Sequence, residues 1–296
     1  MKVHIHGVRG SIASPGLETA FFGGNTPCLE VVADGSRLVL DAGSGLRSVG
    51  DRILAEGKPA DFTLLFSHYH WDHLQGLPFF APLYMAASRI ACVGPRPGAL
   101  GLRDSLRQQM APPFFPVPFD SLPSHLTTRE LRLREGFVHG GFTVKSAPTN
   151  HPDPCFAYRI EHGGRSLVYA TDTEHYDCVD PELLRLARGA DLLVYDAQYL
   201  PEEYAGQKGP PRTGWGHSTY EAEARLAQAA GVGALGLFHH DPRRNDDGVR
   251  EIEARARDLF PATFALREGE VIDLAAPLVD RQAVGDALVA IARHRQ

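Results

Sequence analysis

The sequence has few cysteines and no long apolar run. Its 296 residues include four widely separated cysteines and no Cys-x-x-Cys pair, so neither a zinc ribbon nor a dithiol redox motif is indicated. No segment approaches the roughly 18 apolar residues that a membrane-spanning helix needs. The N-terminal residues also lack the apolar stretch of a signal peptide. We therefore expect a cytoplasmic protein with reduced cysteines and no membrane partner.

Positive charge is also scarce. The formal net charge is -6, and the 30 lysines and arginines form no basic block. Affinity for long nucleic acids depends on many such contacts to phosphates, so the composition argues against that partner. The composition is compatible with a small phosphate ester, because bound metal ions can neutralise the charge of that ester locally. Histidine, in contrast, is abundant, with 14 copies.

Short β-branched and apolar runs recur along the chain, first as hairpins and later with helices between them. Asp34-Gly35 and Gly163-Gly164 predict two hairpin turns. Ser218 and Glu221 form a predicted capping box for a helix that ends near Gly231. Other helices are predicted at 45–56, 182–188, 246–259 and 280–295. We expect one α/β domain over residues 1–296, with mixed sheets and the helices outside them.

Residues 94–136 differ from the rest of the chain. They contain seven prolines around a predicted helix at Leu102–Met110. Such a segment is expected to pack over another surface. A lid over a substrate site and a subunit contact in a homodimer are the two alternatives.

The decisive stretch is 64–73, where an apolar strand runs into His-x-His-x-Asp-His. Alternation along an extended segment places His68 and His70 on one side, where both can reach one metal ion. Asp72 and His73 follow as the chain turns, and can meet a second ion. Imidazole and carboxylate donors without thiolate suit Zn²⁺, Mn²⁺ or Fe²⁺ in an open catalytic site. Four ligand-type residues in six positions disfavour the alternative of polar strand-end residues that only contact water.

These residues resemble the signature of the metallo-β-lactamase superfamily. The resemblance implies a four-layer αββα sandwich and two divalent ions, with zinc preferred over manganese or iron. It also implies three later ligands that follow strands, namely His151, the bridging Asp172 and His239, with His240 as the alternative to His239. Relatives that carry out redox chemistry with iron have glutamate where this chain has His70, so the resemblance implies hydrolysis.

The segment Gly214–Thr219 places His217 in a glycine-flanked turn at a helix start, where an anion can bind. Its position alone fits an exposed loop histidine equally well. The segment resembles the phosphodiesterase branch of the superfamily, which includes ribonuclease Z and cyclic-phosphate phosphodiesterases. This resemblance implies that His217 binds or protonates the scissile phosphate and that Asp196 orients its ring. A strand-end cap is the alternative role for Asp196.

Two glycine-rich segments near the N-terminus, Gly7–Ser11 and Gly23–Cys28, resemble a bacterial subgroup of these hydrolases. Most of their residues are expected to serve hairpin turns. We select Asn25 as a candidate contact to substrate. Asp41, after another predicted strand, is expected to brace a metal-ligand histidine.

We therefore expect a dinuclear phosphodiesterase that attacks a small cyclic or nucleotide-like diester with a metal-bridging hydroxide. Asp72 is expected to orient or deprotonate the water as well as to bind metal. The alternatives are a transfer-RNA 3′-processing endoribonuclease, a lactonase or thioesterase, and a non-enzymatic scaffold. The lack of a basic arm weighs against the first. Hydrolysis of a lactone or thioester would give His217 and Asp196 no obvious role. The complete set of metal ligands argues against a non-enzymatic scaffold.

Overall fold

Two seven-stranded sheets face each other across a shared apolar core. The computed structural model describes residues 1–96 and 98–278. The strands of the first sheet are β1 (Lys2–Gly7), β2 (Cys28–Ala33), β3 (Ser36–Leu40), β4 (Asp61–Leu65), β5 (Arg89–Pro95), β6 (His125–Leu131) and β14 (Val271–Asp273). Those of the second are β7 (Phe137–His139), β8 (Phe142–Pro148), β9 (Phe156–His162), β10 (Arg165–Ala170), β11 (Leu192–Asp196), β12 (Ala234–Phe238) and β13 (Thr263–Ala265).

The strand order explains where the ligands meet. The first sheet runs β14-β1-β2-β3-β4-β5-β6 and the second runs β13-β12-β11-β10-β9-β8-β7. Strands β3 to β6 are parallel in the first sheet, and β10 to β13 are parallel in the second. Every residue of β11 and β12 is buried, as expected for parallel strands covered on both faces. The carboxyl ends of parallel strands share one edge of a sheet, which is the usual place for a site.

Helices cover the outer face of each sheet. Helices α1 (Leu46–Ala55) and α2 (Leu102–Gln109) bury their apolar residues against the first sheet. Helices α3 (Pro181–Ala187), α5 (Tyr220–Ala230) and α6 (Asp246–Leu259) pack on the second, and α4 (Pro201–Tyr204) is a single turn. A third apolar cluster fills the space between the sheets. This arrangement confirms the predicted αββα sandwich.

Both predicted hairpin turns are present. Asp34 and Gly35 have φ values of 48° and 79°, and Ala33 pairs with Ser36 across the turn. Gly163 and Gly164 have φ values of 57° and 74°. Two consecutive residues with positive φ form the type I′ turn that matches the twist of paired strands.

The predicted capping box is wrong. Helix α5 begins at Tyr220, its N-cap is Thr219, and no side chain caps it. The Ser218 hydroxyl instead lies 3.2 Å from Nδ1 of His175. Four strands also escaped prediction, because β7, β13 and β14 have only three residues each and β6 alternates exposed polar residues at a sheet edge.

The described part of the Pro-rich segment 94–136 packs on the outer face of the first sheet. Leu102, Leu106 and Met110 pack with Phe119 into the apolar cluster on the outer face of that sheet. The segment also supplies β6, the edge strand next to β5. The predicted helix at 280–295 lies outside the described residues. Within 1–96 and 98–278, no helix has the length and apolar character needed to cross a membrane.

Candidate metal centre

The seven predicted ligands converge from both sheets. Four of them follow β4 of the first sheet: His68, His70, Asp72 and His73. The other three follow β8, β10 and β12 of the second sheet: His151, Asp172 and His239. The site therefore lies where the two sheets meet at the carboxyl ends of these strands.

The seven predicted side chains form two ligand groups that share one carboxylate, and a third group, Asp172, Asp196, His217 and His239, overlaps the second. Within each group, one donor atom per residue lies within 4.8 Å of the others. The first group comprises His68, His70, His151 and Asp172, and the second comprises Asp72, His73, Asp172 and His239. A shared aspartate between two groups is the arrangement that a dinuclear centre requires.

Asp172 occupies the middle of the cluster. Its Oδ1 lies 3.2 Å from Nε2 of His73 and 3.3 Å from Nε2 of His239, and its Oδ2 lies 3.6 Å from Nε2 of His68. Asp172 and His239 each come directly or closely after a strand. Both residues have left-handed backbone conformations, with φ values of 50° and 58°. Such conformations are costly for residues other than glycine and concentrate at functional sites.

Three donor atoms of the first group are buried without a hydrogen-bond partner among the described residues. They are Nε2 of His68, Nε2 of His151 and Oδ2 of Asp172. A buried polar atom without a partner costs about 1–3 kcal/mol, more if charged. The atoms point into one place and are of the types that bind divalent ions. The residues therefore fit a metal site.

Contacts to Nδ1 orient two of the imidazole rings. Nδ1 of His239 lies 2.8 Å from Oε1 of Gln198, which can only accept, so Nδ1 donates and Nε2 is directed at the metal site. Nδ1 of His151 lies 3.0 Å from the carbonyl oxygen of Asp153 and 3.3 Å from the backbone nitrogen of the same residue. Both contacts to His151 engage Nδ1, and its Nε2 is buried without a hydrogen-bond partner among the described residues.

Asp41 braces the first sheet's side of the site, as predicted. Its Oδ2 lies 2.8 Å from Nδ1 of His73 and accepts the hydroxyl hydrogen bond of Tyr169 at 2.7 Å. Its Oδ1 accepts the backbone N–H of Ser67 at 2.7 Å. Tyr169 belongs to the second sheet, so Asp41 also joins the two sheets behind the ligands.

Burial and neighbouring charges set the protonation of the ligands. Burial, together with the charge of His73, holds the pKa of His68 well below its usual value, so this imidazole is neutral. Burial alone would raise the pKa of Asp172, but His239, His73 and His68 hold it well below its usual value. His68 and Asp172 are thus in the states that bind metal. For His73, Asp72 and the other nearby carboxylates outweigh burial and raise the pKa well above its usual value, so its proton has to leave when metal binds.

His217 and Asp196 lie beside this cluster. Nδ1 of His217 lies 2.7 Å from Oδ2 of Asp196 and 3.9 Å from Oδ2 of Asp172. The imidazole ring lies 4.9 Å from that of His239 and 6.4 Å from that of His151, measured between centroids. Burial alone would lower the pKa of His217, but Asp196 above all, with Asp172, raises it to about 9. The ring therefore carries a proton at neutral pH and faces both ligand groups.

Glu174, which the sequence analysis missed, holds the loop that carries His217. Its carboxylate accepts the backbone N–H groups of Gly214 and Gly216 at 2.8 and 3.0 Å and the hydroxyl of Tyr204 at 2.6 Å. Its position two residues after Asp172 was the available signal, but a single acidic residue there does not reveal its partners. Gln198, which orients His239, was missed for the same reason.

The structure separates the two alternative final ligands. His239 lies in the second ligand group, whereas His240 belongs to none of the ligand groups found among the described residues. The ring of His240 is buried against Phe22, with Nε2 3.5 Å from the carbonyl oxygen of Leu266.

The side-chain hydrogen bonds of Asn25 go to Glu268 and Ser44, and neither residue is a predicted metal ligand. The amide nitrogen of Asn25 donates to Glu268 at 3.0 Å, its backbone N–H donates to the same carboxylate, and its Oδ1 accepts the hydroxyl of Ser44 at 2.9 Å. These contacts use the amide to hold a turn. The neighbouring glycine-rich turn does reach the site, because the backbone N–H of Ser11 donates to Oδ2 of Asp72 at 2.8 Å.

Known proteins share this architecture. The family described as Beta-lactamase superfamily domain matches residues 36–240, more than half of the chain. Ribonuclease Z of Mycobacterium sp. (strain KMS) is 29% identical over 254 residues, covering 81% of this chain and 86% of that protein. The crystal structure of the metallo-beta-lactamase fold protein YhfI from Bacillus subtilis has a TM-score of 0.69 at 21% identity, covering 92% of this chain and 98% of that one. A diphosphatase from the PhnP family has a TM-score of 0.67 at 18% identity, covering 92% and 97%.

Proposed function

Given that the chain belongs to the beta-lactamase superfamily, in its ribonuclease Z-like branch, we propose that this metal-dependent hydrolase cleaves a small phosphodiester. The cyclic or nucleotide-like diester expected from the sequence is the preferred substrate. The observation that carries the proposal is the hydrogen-bonded pair of His217 and Asp196 beside the shared carboxylate Asp172.

The ligand groups support a proposal for which residues would hold the ions. We propose that His68, His70 and His151 hold one ion, that Asp72, His73 and His239 hold the other, and that Asp172 bridges them. When bound, such a pair supplies an activated water and positive charge that offsets charge on the phosphoryl group. Imidazole and carboxylate donors favour zinc, with manganese or iron as the alternatives. Metal analysis of the purified protein by mass spectrometry tests this assignment.

His217 and Asp72 supply the remaining chemistry. Asp196 accepts from Nδ1 of His217, which leaves the proton on Nε2 available to the departing alkoxide oxygen. The N–H of Ser11 fixes the carboxylate of Asp72, so that this group can orient the attacking water. Phosphodiester cleavage needs both a positioned water and a proton donor for the leaving group. A protonated histidine in a buried site also favours an anionic phosphoryl group over a neutral lactone.

Transfer-RNA 3′ processing is the second candidate, favoured by the similarity to Ribonuclease Z. Two observations weigh against it. The net charge is -6, and the long segment 94–136 packs its apolar residues onto the first sheet. A small diester remains the preferred substrate.

The test compares substrates and variants in zinc- or manganese-loaded protein. The substrates are bis-p-nitrophenyl phosphate, 2′,3′- and 3′,5′-cyclic nucleotides, a precursor transfer RNA with a 3′ extension, and a panel of lactones. We expect turnover of a small diester that falls about 100-fold or more in His217→Ala, because a general acid typically contributes that much. Asp72→Ala should also be inactive.

His125→Ala is the matched control, since His125 is an exposed histidine at the start of β6. It should keep full activity. Lactone turnover that is indifferent to His217→Ala would overturn the phosphodiesterase proposal. Cleavage of the precursor transfer RNA with no small-diester turnover would select the second candidate instead.

A further inference from the structure

A second, basic pocket shares the Tyr199 ring with the surroundings of His217. It is a cavity of about 250 Å³ with the buried ring of Tyr199 in its wall. Four cationic side chains line it: Lys208, Arg212, Arg243 and Arg244. Two acidic side chains, Glu203 and Asp241, also line it. Positive charge is in excess here, in a protein whose net charge is -6.

Most of these cations are already paired. Arg244 contacts Glu203 at 2.6 Å and Arg243 contacts Asp241 at 3.3 Å. Lys208 contacts Glu202, outside the pocket lining, at 3.0 Å. These ion pairs use both acidic residues of the pocket.

Arg212 is different. Across 1–96 and 98–278, its guanidinium makes no ion pair with an acidic residue. Its Cζ instead lies over two aromatic rings, 4.5 Å from the centroid of Trp215 and 5.7 Å from that of Tyr199. Stacking covers the faces of a guanidinium and leaves its N–H donors, which lie in its plane, directed outward. Arg212 therefore presents an oriented set of donors suited to a phosphate.

The pocket adjoins the proposed reaction centre. The ring of Tyr199 lies 5.9 Å from the imidazole of His217, and Trp215 precedes His217 by two residues. Asp241 follows the proposed ligand His239 by two residues. The Tyr199 ring thus lies next to both Arg212 and His217, which is the basis for placing a group bound by Arg212 on the same molecule as the phosphodiester.

We infer that the Arg212 pocket binds a second phosphate group of the substrate. This inference rests on the proposed function and narrows it to diesters that carry an additional phosphate. The half-exposed ring of Trp215, 51% accessible, stands beside this phosphate and offers a surface on which a nucleobase can stack.

The test uses a matched pair of chromogenic substrates. Thymidine 5′-(p-nitrophenyl phosphate) has one diester, and its 3′-phosphorylated form adds a second phosphate. For the metal-loaded wild-type protein we expect a KM about tenfold lower for the second compound. Arg212→Ala should raise that KM about tenfold, change the KM of the first compound by less than about twofold, and leave kcat unchanged, as expected for loss of one charge-assisted contact. Arg212→Lys should show an intermediate KM, since it keeps the charge and loses the planar stack.

A binding measurement separates this inference from the proposed function. Thymidine 3′,5′-bisphosphate and thymidine 5′-monophosphate contain no diester, and calorimetry measures their affinities without turnover. Tighter binding of the bisphosphate that is lost in Arg212→Ala supports the pocket even if neither diester is cleaved. Cleavage of both diesters with equal KM values in the wild type, and the same KM values in Arg212→Ala, would overturn the pocket. That result would leave the proposed function standing.

Arg47→Ala is the control for a simple loss of charge. Arg47 lies on α1, over the first sheet, with its side chain 73% exposed and its nearest acidic partner 3.5 Å away. The variant changes net charge by the same amount as Arg212→Ala. An equal change in the KM of the 3′-phosphorylated substrate in both variants would assign the effect to overall charge and overturn the inference.

Discussion

The protonation state of His217 is decided by one neighbour. Burial disfavours a charged imidazole, yet the carboxylate of Asp196 at 2.7 Å outweighs it and raises the pKa to about 9. The protonated form, which a general acid needs, is therefore present below about pH 9 and is lost as the pH rises through that value. Positive metal ions nearby act in the opposite direction, so the alkaline limit of activity should lie at or below that value.

Asp196→Asn should move the alkaline limb of the kcat profile to lower pH. Asparagine keeps the shape of the side chain but removes the charge that favours the imidazolium. The measurement is kcat from pH 5 to 10 for the wild type and the variant, with Asp61→Asn, an exposed residue at the start of β4, as control. If the alkaline limb of the kcat profile lies at the same pH in the wild type and in Asp196→Asn, His217 does not donate the proton.

At the scale of elements, the site depends on the turns that follow strands more than on the strands. Asp41, Asp172 and His239 each adopt a left-handed conformation directly after or close to the end of β3, β10 or β12. These turns send the side chains across the ends of the sheets. The loop at Gly214–Gly216, which precedes His217, is held by Glu174.

Gly216→Ala should remove metal from the group that contains His151. A Cβ at Gly216 would lie 2.4 Å from Cδ2 of His151, a contact that displaces the ring. Gly214→Ala is a close control, because both glycines have φ of 82° and a Cβ at Gly214 meets no atom within 4 Å. We expect metal analysis to give about two ions in Gly214→Ala and fewer in Gly216→Ala. Equal metal content in the two variants would contradict the placement of His151 as a ligand.

The longer buried strands and the ligand motif could be predicted because they depend on local sequence. The run before His68 is apolar, and the ligands follow it within six positions. Gln198 and Glu174 could not be predicted, because they meet His239 and Gly214 only after distant segments pack together. Ser218 was misjudged for a related reason, since a contact to His175 competes with the local capping bond.

For the whole molecule, the metal centre is a link between the two sheets. Four predicted ligands follow a strand of the first sheet and three follow strands of the second. Without ions, three buried donor atoms of the site have no hydrogen-bond partner among the described residues. Bound ions should therefore stabilise the folded chain as a whole, and the gain grows with their affinity.

Removal of metal should lower the thermal stability of the protein. A ligand present at 100 times its Kd contributes about 2.7 kcal/mol, so we expect a loss of about that size or more. The measurement is the Tm by circular dichroism before and after dipicolinate treatment, with zinc restored in a third sample. Asp172→Ala should unfold at the same Tm with and without chelator. A wild-type Tm that dipicolinate leaves unchanged would mean that the ions do not join the sheets.

The pairing of β1 with β14 has a consequence for biosynthesis. Val3 lies opposite Ile272, so one edge of β1 has no partner until nearly the entire described chain has been translated. At about 5–20 residues per second, that delay is on the order of ten seconds or more. An open strand edge recruits other strands, and contacts so distant in sequence form slowly. The edge of β1 that pairs with β14 therefore stays open during this delay, and other strands can pair with it until β14 has been made.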